Sequence, residues 1–515
     1  SRAYTLAARR AGHARLVLPI GRVKTPTLAL VVRREREIEN FKPATYYLVD
    51  AVFRHEGSGE SFRARWKPSE ERTPLDPEGR LTDEAAARAA MDAFGHDLQD
   101  GKITRYERKK KEEPPPLPFS LSALQVLAGK RYGYEPQQVL DTAQKLYEEK
   151  LTTYPRSDAE YLPVSQHKDA AKILGNLAAL EGSELASWAQ GADAAQKSRA
   201  WNDEKISAHH AIIPTTVPVN LARLSEAERN IYGLIARAYI AQFHPNYVYD
   251  QTKVEVTYHG ELFAASGRTE RAAGWRAMYR TAKNEEDAEK EDEESAVLPP
   301  MKKGDAADYV SADLGTRQTK PPSRFTPATL LQGMKEIHKY VKDEAAKKML
   351  RDVSGIGTEA TRASIIEDLI QRKFLLAAGK KKVLTPTETA YLLIDALPDT
   401  MTYPDATAIW EDRLHAMAEG AGSIEVFLAG QAAFARDLCT AALGAKIPGI
   451  EGVRCPACGR GVMQKRKGKH GEFWGCSAFP QCRMTANDAG GKPDFTGKRL
   501  PRAANGAMEA PPSAS

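Results

Sequence analysis

From Tyr46 to about Arg65 apolar and polar positions alternate, with Tyr47, Val49, Ala51 and Phe53 on one side and Phe62 and Trp66 beyond a Gly-rich turn. A period of two is the signature of a half-buried strand, so the pattern predicts antiparallel pairing. The same character returns at 245–282 through Tyr247, Val248, Val254, Val256, Tyr258, Leu262 and Phe263. A helix is predicted at Asp83–Phe94 and a strand near Lys102–Tyr106. Between the two β-rich segments the period becomes helical. Ser120 can cap a helix carrying Leu121, Leu124 and Leu127, and Val139, Leu140, Ala143, Leu146 and Tyr147 mark another from Pro136 to about Glu149. Two β segments around a helical block predict one discontinuous β domain with an insertion. Residues 1–41 read as helical, with Thr25 as an N-cap, Pro26 at the first helical position, and Leu28, Val31 and Val32 inward. Helices are predicted again at Pro327–Tyr340 and Glu359–Ile370, in a region ending near Ala445.

Punctuation between these patterns sets the boundaries. The run Lys109 to Pro116, three Lys, two Glu and three Pro, reads as a stiff solvated connector. The acidic run Glu285–Glu294 reads as an exposed loop, and everything beyond Arg483 as a disordered tail. The expected segments are 1–41 and 316–446 (helical), 42–113 and 245–315 (β-rich), 114–244 (the insertion), 453–484 (a four-cysteine module) and 485–515 (the tail). A chain of 515 residues has room for several such units, and Lys+Arg 74 against Asp+Glu 68 is a mild basic excess that permits a polyanionic partner. No run of 18 or more apolar residues and no secretory leader is visible, so neither a membrane partner nor export is expected. Five cysteines, four of them at metal-ligand spacing, fit a reducing cytoplasm better than a disulfide framework. The chain opens on Ser1 in sequence that already reads as mid-domain, which suggests a fragment or processed piece.

Two stretches carry candidate chemistry. Pro155 pushes Tyr154 towards extended geometry, in which Tyr154, Arg156 and Asp158 share a face. A phenol, with a pKa near 10, is a poor nucleophile until a cation stabilises its oxyanion, and Arg can do that or neutralise a phosphate under attack. By itself the tripeptide Tyr-Pro-Arg favours the plainer reading of a surface strand. The second stretch is Cys455-x2-Cys458 and Cys476-x5-Cys482, which fits a four-thiolate zinc ribbon. Phe473 and Trp474 beside basic residues suit stacking on single-stranded bases, though a module that only stabilises itself stays open. Cys439, upstream in an apolar helix, reads as a core residue. The turn Gly355-Ile356-Gly357-Thr358 before a helix could hold a phosphate and is equally an ordinary Gly-rich cap.

The segment Gln144 to Asp158, ending Leu151-Thr152-Thr153-Tyr154-Pro155-Arg156-Ser157-Asp158, resembles the active-site segment of type IA DNA topoisomerases, closest to the topoisomerase III branch. Three further blocks match in the same order: Gly21 to Thr27, Ser207 to Thr215 and Gly355 to Arg362. The resemblance spans most of residues 1 to about 440. It implies a multidomain α+β fold of mainly helical domains joined by a β-rich arch into a toroid-like core, with the zinc ribbon appended. It implies an ATP-independent isomerase whose partners are single-stranded DNA and negatively supercoiled duplex, acting as a monomer. By motif, Tyr154 is the nucleophile, Arg156 stabilises phosphate and phenolate, and His209 contacts the phosphate. Gln144 and Glu148 match supporting catalytic positions. Arg22, Lys24 (where the family usually has Gln), Arg324, Thr358, Thr361 and Arg362 match DNA-binding positions. His210 stays unassigned between a zinc ligand and a surface residue.

The family also carries an N-terminal Toprim domain, with a Glu acid/base and an Asp-x-Asp-x-Glu cluster that holds Mg²⁺. No strand-borne cluster of that spacing is found here, so the chain alone is expected to be catalytically impaired and to bind single strands. A tyrosine recombinase, which leaves a 3′ linkage, and a non-catalytic DNA-binding fragment are the competing readings.

Overall fold

In the computed structural model, six strands drawn from both β-rich segments close into one antiparallel barrel. They are β1 (Thr45–His55), β2 (Ser61–Lys67), β3 (Asp100–Glu113), β4 (Tyr247–Tyr258), β5 (Glu261–Ala272) and β6 (Ala306–Gln318), in the order β1-β2-β5-β4-β3-β6. The structure describes residues 1–496 apart from 12, 14–15, 70–74, 97–99, 207, 283–296, 342–343, 353–354, 446, 448–452, 460, 469–470 and 490. The acidic run Glu285–Glu294 lies outside the described residues. The alternation of Val49, Ala51 and Phe53 becomes an inward face, and Phe53 sits edge-on to Phe263 at 5.2 Å between ring centroids and to Tyr258 at 5.9 Å. Helix Glu84–His96 adds Phe94 to this core, where its carbonyl accepts the Tyr258 hydroxyl at 2.8 Å. Closure pairs every strand of the barrel on both sides.

The expected connector at Lys109 is largely strand. Lys109 to Glu113 continue β3, paired with Gln251 to Tyr247 of β4. A long partner strand supplies ladder hydrogen bonds to a sequence with little strand propensity of its own.

The insertion between β3 and β4 is a helical cluster. It contains helices Leu121–Tyr132, Pro136–Glu148, Ala170–Ala178, Glu184–Gln190 and Glu226–Ala241. Ser120 caps the first by accepting from the Ala123 amide. The last is the core element, with Ile231, Ile235, Tyr239 and Ile240 buried. Each residue of that size contributes about 1.5–3 kcal/mol of apolar burial.

By compactness the chain divides into Arg36–Ser323 and a second unit of Ser1–Glu35 with Arg324–Ser515. The second unit contains most of helix Lys24–Glu39, helices Pro327–Lys335, Glu359–Gln371, Asp405–Ala418 and Ile424–Gly444, and the hairpin β7 (Leu375–Ala378)–β8 (Val383–Pro386). Thr25 lies inside the first turn rather than at the N-cap; its hydroxyl accepts from the Gly21 amide at 3.0 Å. Helix Ile424–Gly444 is long and apolar enough to cross a membrane by length and composition, but Glu425, Arg436 and Asp437 sit inside it, so it contains no unbroken apolar run of 18. Its Cys439 is exposed rather than core, because of this helix only Ala442 is buried by the described residues. The C-terminal module is a sheet of β9 (Met463–Gly468), β10 (Gly471–Cys476), β11 (Thr485–Ala489) and β12 (Lys492–Asp494), ordered β12-β11-β10-β9. The last two strands form where the composition reads as disorder, because pairing with β10 brings Ala486 into the ribbon core.

Candidate active site and metal centre

Helix Pro136–Glu148 ends in a way that aims the next segment. Lys150 adopts φ 61°, the Leu151 amide returns to the Leu146 carbonyl at 2.9 Å, and the Lys150 amide returns to the Tyr147 carbonyl at 2.8 Å. This is a Schellman close with a lysine at the position glycine usually takes. The chain then meets segment 211–215, which clamps it. The Thr153 amide donates to the Ile213 carbonyl at 2.9 Å, and its hydroxyl donates to the Ala211 carbonyl and accepts from the Ile213 amide. The Thr215 amide donates to the Leu151 carbonyl at 3.0 Å. Downstream, the Ser157 carbonyl accepts from the Leu121 amide at 2.8 Å.

Between these clamps burial alternates. Pro155, Ser157 and Ala159 are buried while Tyr154, Arg156 and Asp158 are exposed, although the backbone turns at Pro155–Arg156 instead of running as a strand. The structure brings Tyr154 and His209 together: their rings stack with centroids 5.0 Å apart and planes 27° apart. Tyr147 meets the Tyr154 ring edge-on at 5.7 Å. Its apolar spacing suggests a core residue, yet it is 40 % exposed, and nothing in the helical period distinguishes it from its buried neighbours. These rings border an open depression of about 490 Å³ lined by Tyr147, Glu148, Lys150, Thr152, Thr153, Tyr154 and Thr215. Gln144 donates to Glu148 at 2.9 Å, one helical turn apart. Arg156 has no ion-pair partner among the described residues, which leaves its guanidinium available to an anion. His210 turns away from this surface: its Nδ1 pairs with the Ala211 carbonyl at 2.8 Å and its Nε2 with Gln166 at 2.9 Å. The sequence does not reveal Thr153, Thr215 and Lys150 as shaping residues, because their role arises from a pairing some 60 positions apart.

The DNA-contact positions in the second unit are differently occupied. Arg22 pairs with Glu411 and Lys24 with Asp368. Arg324 makes a forked pair with buried Glu35, at 2.8 and 2.6 Å. Arg362 is 2 % exposed and holds Glu359 and the Ile356 carbonyl, so as placed it braces the turn instead of facing a ligand. Thr358 and Thr361 cap each other, with the Thr358 amide donating to the Thr361 hydroxyl at 3.1 Å. A Cβ on Gly355 would lie 2.3 Å from the Met334 carbonyl oxygen, so close packing alone requires that glycine. The first turn already contains the Glu359 carboxylate, which favours the cap reading over a phosphate cradle.

Cys455, Cys458, Cys476 and Cys482 bring their sulfurs within 4.8 Å of one another. The Cys455–Cys482 and Cys458–Cys476 separations are both 3.7 Å. That is far beyond a disulfide and matches the roughly 3.8 Å edge of a tetrahedron with zinc–sulfur bonds of about 2.3 Å. Phe473 and Trp474 are neighbours on β10 and so point to opposite faces. Trp474 packs against the cysteine-bearing core and donates its Nε1–H to Asp488 at 2.7 Å, so the pair cannot offer one continuous stacking surface.

A barrel with a helical insertion, an exposed tyrosine stacked on a histidine, and a four-cysteine ribbon together resemble one class of DNA-processing protein, and direct comparison bears this out. A sequence profile of the family described as DNA topoisomerase matches residues 1–429, and one described as topoisomerase DNA binding C4 zinc finger matches residues 452–489. The chain belongs to the type IA DNA topoisomerase family, on its topoisomerase III-like side. It is 43% identical over 437 residues to a protein of Vibrio cholerae named DNA topoisomerase 3, covering 83% of this chain and 65% of that relative. The Bacillus subtilis DNA topoisomerase 3 is 33% identical over 472 residues, covering 89% of this chain and 62% of its own length. This chain thus spans just under two thirds of these relatives. In fold it is similar to the full-length topoisomerase I of Thermotoga maritima, with a TM-score of 0.56 at 20% identity over 95% of this chain and 76% of that one.

Proposed function

We propose that Tyr154 is the nucleophile of a reversible cleavage of one DNA strand. Its Oη attacks a backbone phosphorus of single-stranded DNA, and the bond from phosphorus to the 3′ oxygen breaks as the new ester forms. The phenolic proton passes through solvent to the departing 3′ oxygen, and the 5′ phosphate remains on Tyr154. Attack by the 3′ hydroxyl reverses the step after another strand has passed. One phosphodiester replaces another, so no ATP is consumed, and the outcome is relaxation of negative supercoils or decatenation. The observation that carries this reading is the Tyr154 phenol, 37 % exposed and stacked on His209 at the rim of an open depression.

Arg156 neutralises the attacked phosphate and the developing phenolate, and His209 donates to a phosphate oxygen. Glu148, oriented by Gln144, stands at the depression wall where it can manage the proton or orient water. Arg22, Lys24, Arg324, Thr358 and Thr361 belong to the proposed strand-binding surface, with buried Arg362 bracing the turn behind the two threonines; for Arg22, Lys24 and Arg324 a phosphate must first displace a carboxylate. Phe473 is the ribbon aromatic suited to stacking, with zinc on the four cysteines. Mg²⁺ finds no fitting ligand set: among the described residues the four cysteines are the one cluster of three or more metal-capable side chains. No step is therefore routed through it, and this chain by itself is expected to bind single strands and turn over slowly.

An oligonucleotide whose short upstream fragment, carrying the free 3′ hydroxyl, dissociates after cleavage traps the intermediate. The expected result is a covalent adduct blocked at the 5′ end, absent in Tyr154→Phe and slowed about 100-fold or more in Arg156→Lys. A 3′ linkage would indicate recombinase chemistry, and adduct formation by Tyr154→Phe would eliminate the proposal. Plasmid relaxation with and without Mg²⁺ tests the slow turnover, which robust relaxation by this chain would refute.

A further inference from the structure

The insertion contains a second cavity that the cleavage reading does not use. Arg131, Glu184, Trp188, Arg229, Gly233 and Arg237 help to enclose about 290 Å³ between helices Leu121–Tyr132, Glu184–Gln190 and Glu226–Ala241. Arg237 is 8 % exposed, and its Nε and Nη1 are buried without any hydrogen-bond partner. Its remaining nitrogen lies 3.6 Å from a Glu184 carboxylate oxygen, too far for a good hydrogen bond, and Glu184 is itself largely exposed. The guanidinium is held over the Trp188 ring at 4.6 Å and near Tyr279 at 5.6 Å. Arg cannot shed its proton under ordinary conditions, so its demand for an anion stays unmet. Burial and then the proximity of Arg131 both press against its charged form.

Gly233 supplies an independent observation. It sits in the middle of helix Glu226–Ala241, where glycine costs about 1 kcal/mol relative to alanine, and a Cβ built there meets nothing within 4 Å. Neither packing nor φ calls for glycine at this position. What glycine provides is open space on the wall of a cavity whose lining residues include Arg131, Arg229, Arg237 and Glu184, with the Arg229 Nη1 also donating to the Leu224 carbonyl.

We infer that this cleft binds a phosphate group, carried either by a DNA strand or by a free nucleotide. The phosphate oxygens sit between Arg131, Arg229 and Arg237, in the charge-assisted geometry guanidinium favours, and Gly233 leaves the room they need. The site shares no residue with the Tyr154 depression and stands whether or not the cleavage reading does.

The test is calorimetric titration of the full chain with inorganic phosphate, thymidine 5′-monophosphate, thymidine and a short oligothymidylate. The expected result is saturable binding of the phosphate-bearing probes and none of thymidine. Affinity should fall at least tenfold in Arg131→Gln and be lost in Gly233→Leu, a substitution that fills the cavity while favouring the helix. If oligothymidylate binding contains a component with the same sensitivity to Arg131→Gln and Gly233→Leu, the source is a DNA strand; if only the mononucleotide does, it is a free nucleotide. Absence of saturable phosphate binding, or equal affinity in folded Gly233→Leu (checked by circular dichroism), overturns the inference.

Discussion

At the scale of single residues, Lys150 links the local backbone to the chemistry. Its left-handed conformation costs a non-glycine residue about 1–2 kcal/mol, and it persists because the two returning amides and the Leu151–Thr215 bond hold it there. Lys150→Gly should therefore raise stability by about 1 kcal/mol, read as a higher thermal midpoint, while leaving the stack of Tyr154 on His209 intact. A fall in stability would mean that the lysine side chain matters more than the backbone strain. Residue identity was the most legible layer of the candidate site: the sequence motifs group Tyr154, Arg156 and His209, and the structure stacks Tyr154 on His209. Arg362 was not, because one guanidinium looks alike in sequence whether it faces solvent or braces a Gly-rich turn.

At the scale of elements, the helix leading to Tyr154 is tied to the core helix of the insertion. Lys145 pairs with Glu228, and Glu228 also accepts the Ser225 amide at 2.7 Å in a capping box. The Lys145 ammonium, followed by the Ser225 backbone, holds the Glu228 carboxyl down at about 2, and the Lys145 ammonium is raised in turn. A depressed carboxyl contributes stability that is present above its unfolded value, about 4.5, and is lost as pH falls from there to about 2. The raised ammonium contributes below its usual value near 10.5 and loses that contribution as pH rises past it. Glu228→Gln should cost about 2 kcal/mol at neutral pH and flatten the stability profile between pH 4.5 and 2, as denaturant melts at several pH values will show. The strand periods of β1, β2, β4 and β5 were legible because each strand has one face in the barrel. The continuation of β3 through Lys109–Glu113 was not, since its pairing comes from β4, far along the chain.

At the scale of the whole molecule, the ribbon is a module whose small core consists mainly of its own metal ligands, with Met463, Met484 and Ala486 added. Such modules owe most of their folding free energy to the metal, about 10–16 kcal/mol in zinc-finger peptides. Chelation should release one zinc per chain and make residues 453–496 sensitive to protease while the barrel and insertion stay resistant. Uniform loss of resistance would show instead that the ribbon is integrated with the rest.

By itself the sequence determined the two cysteine pairs and the tyrosine with its neighbouring cation, because each depends on spacing within a few residues. Only the tertiary structure decided which cations are already spent on carboxylates, which helix face is left uncovered, and how the segment at 211–215 fastens the tyrosine loop. Those are pairings between positions far apart in the chain, and no local period records which distant group will take up a charge or a hydrogen bond.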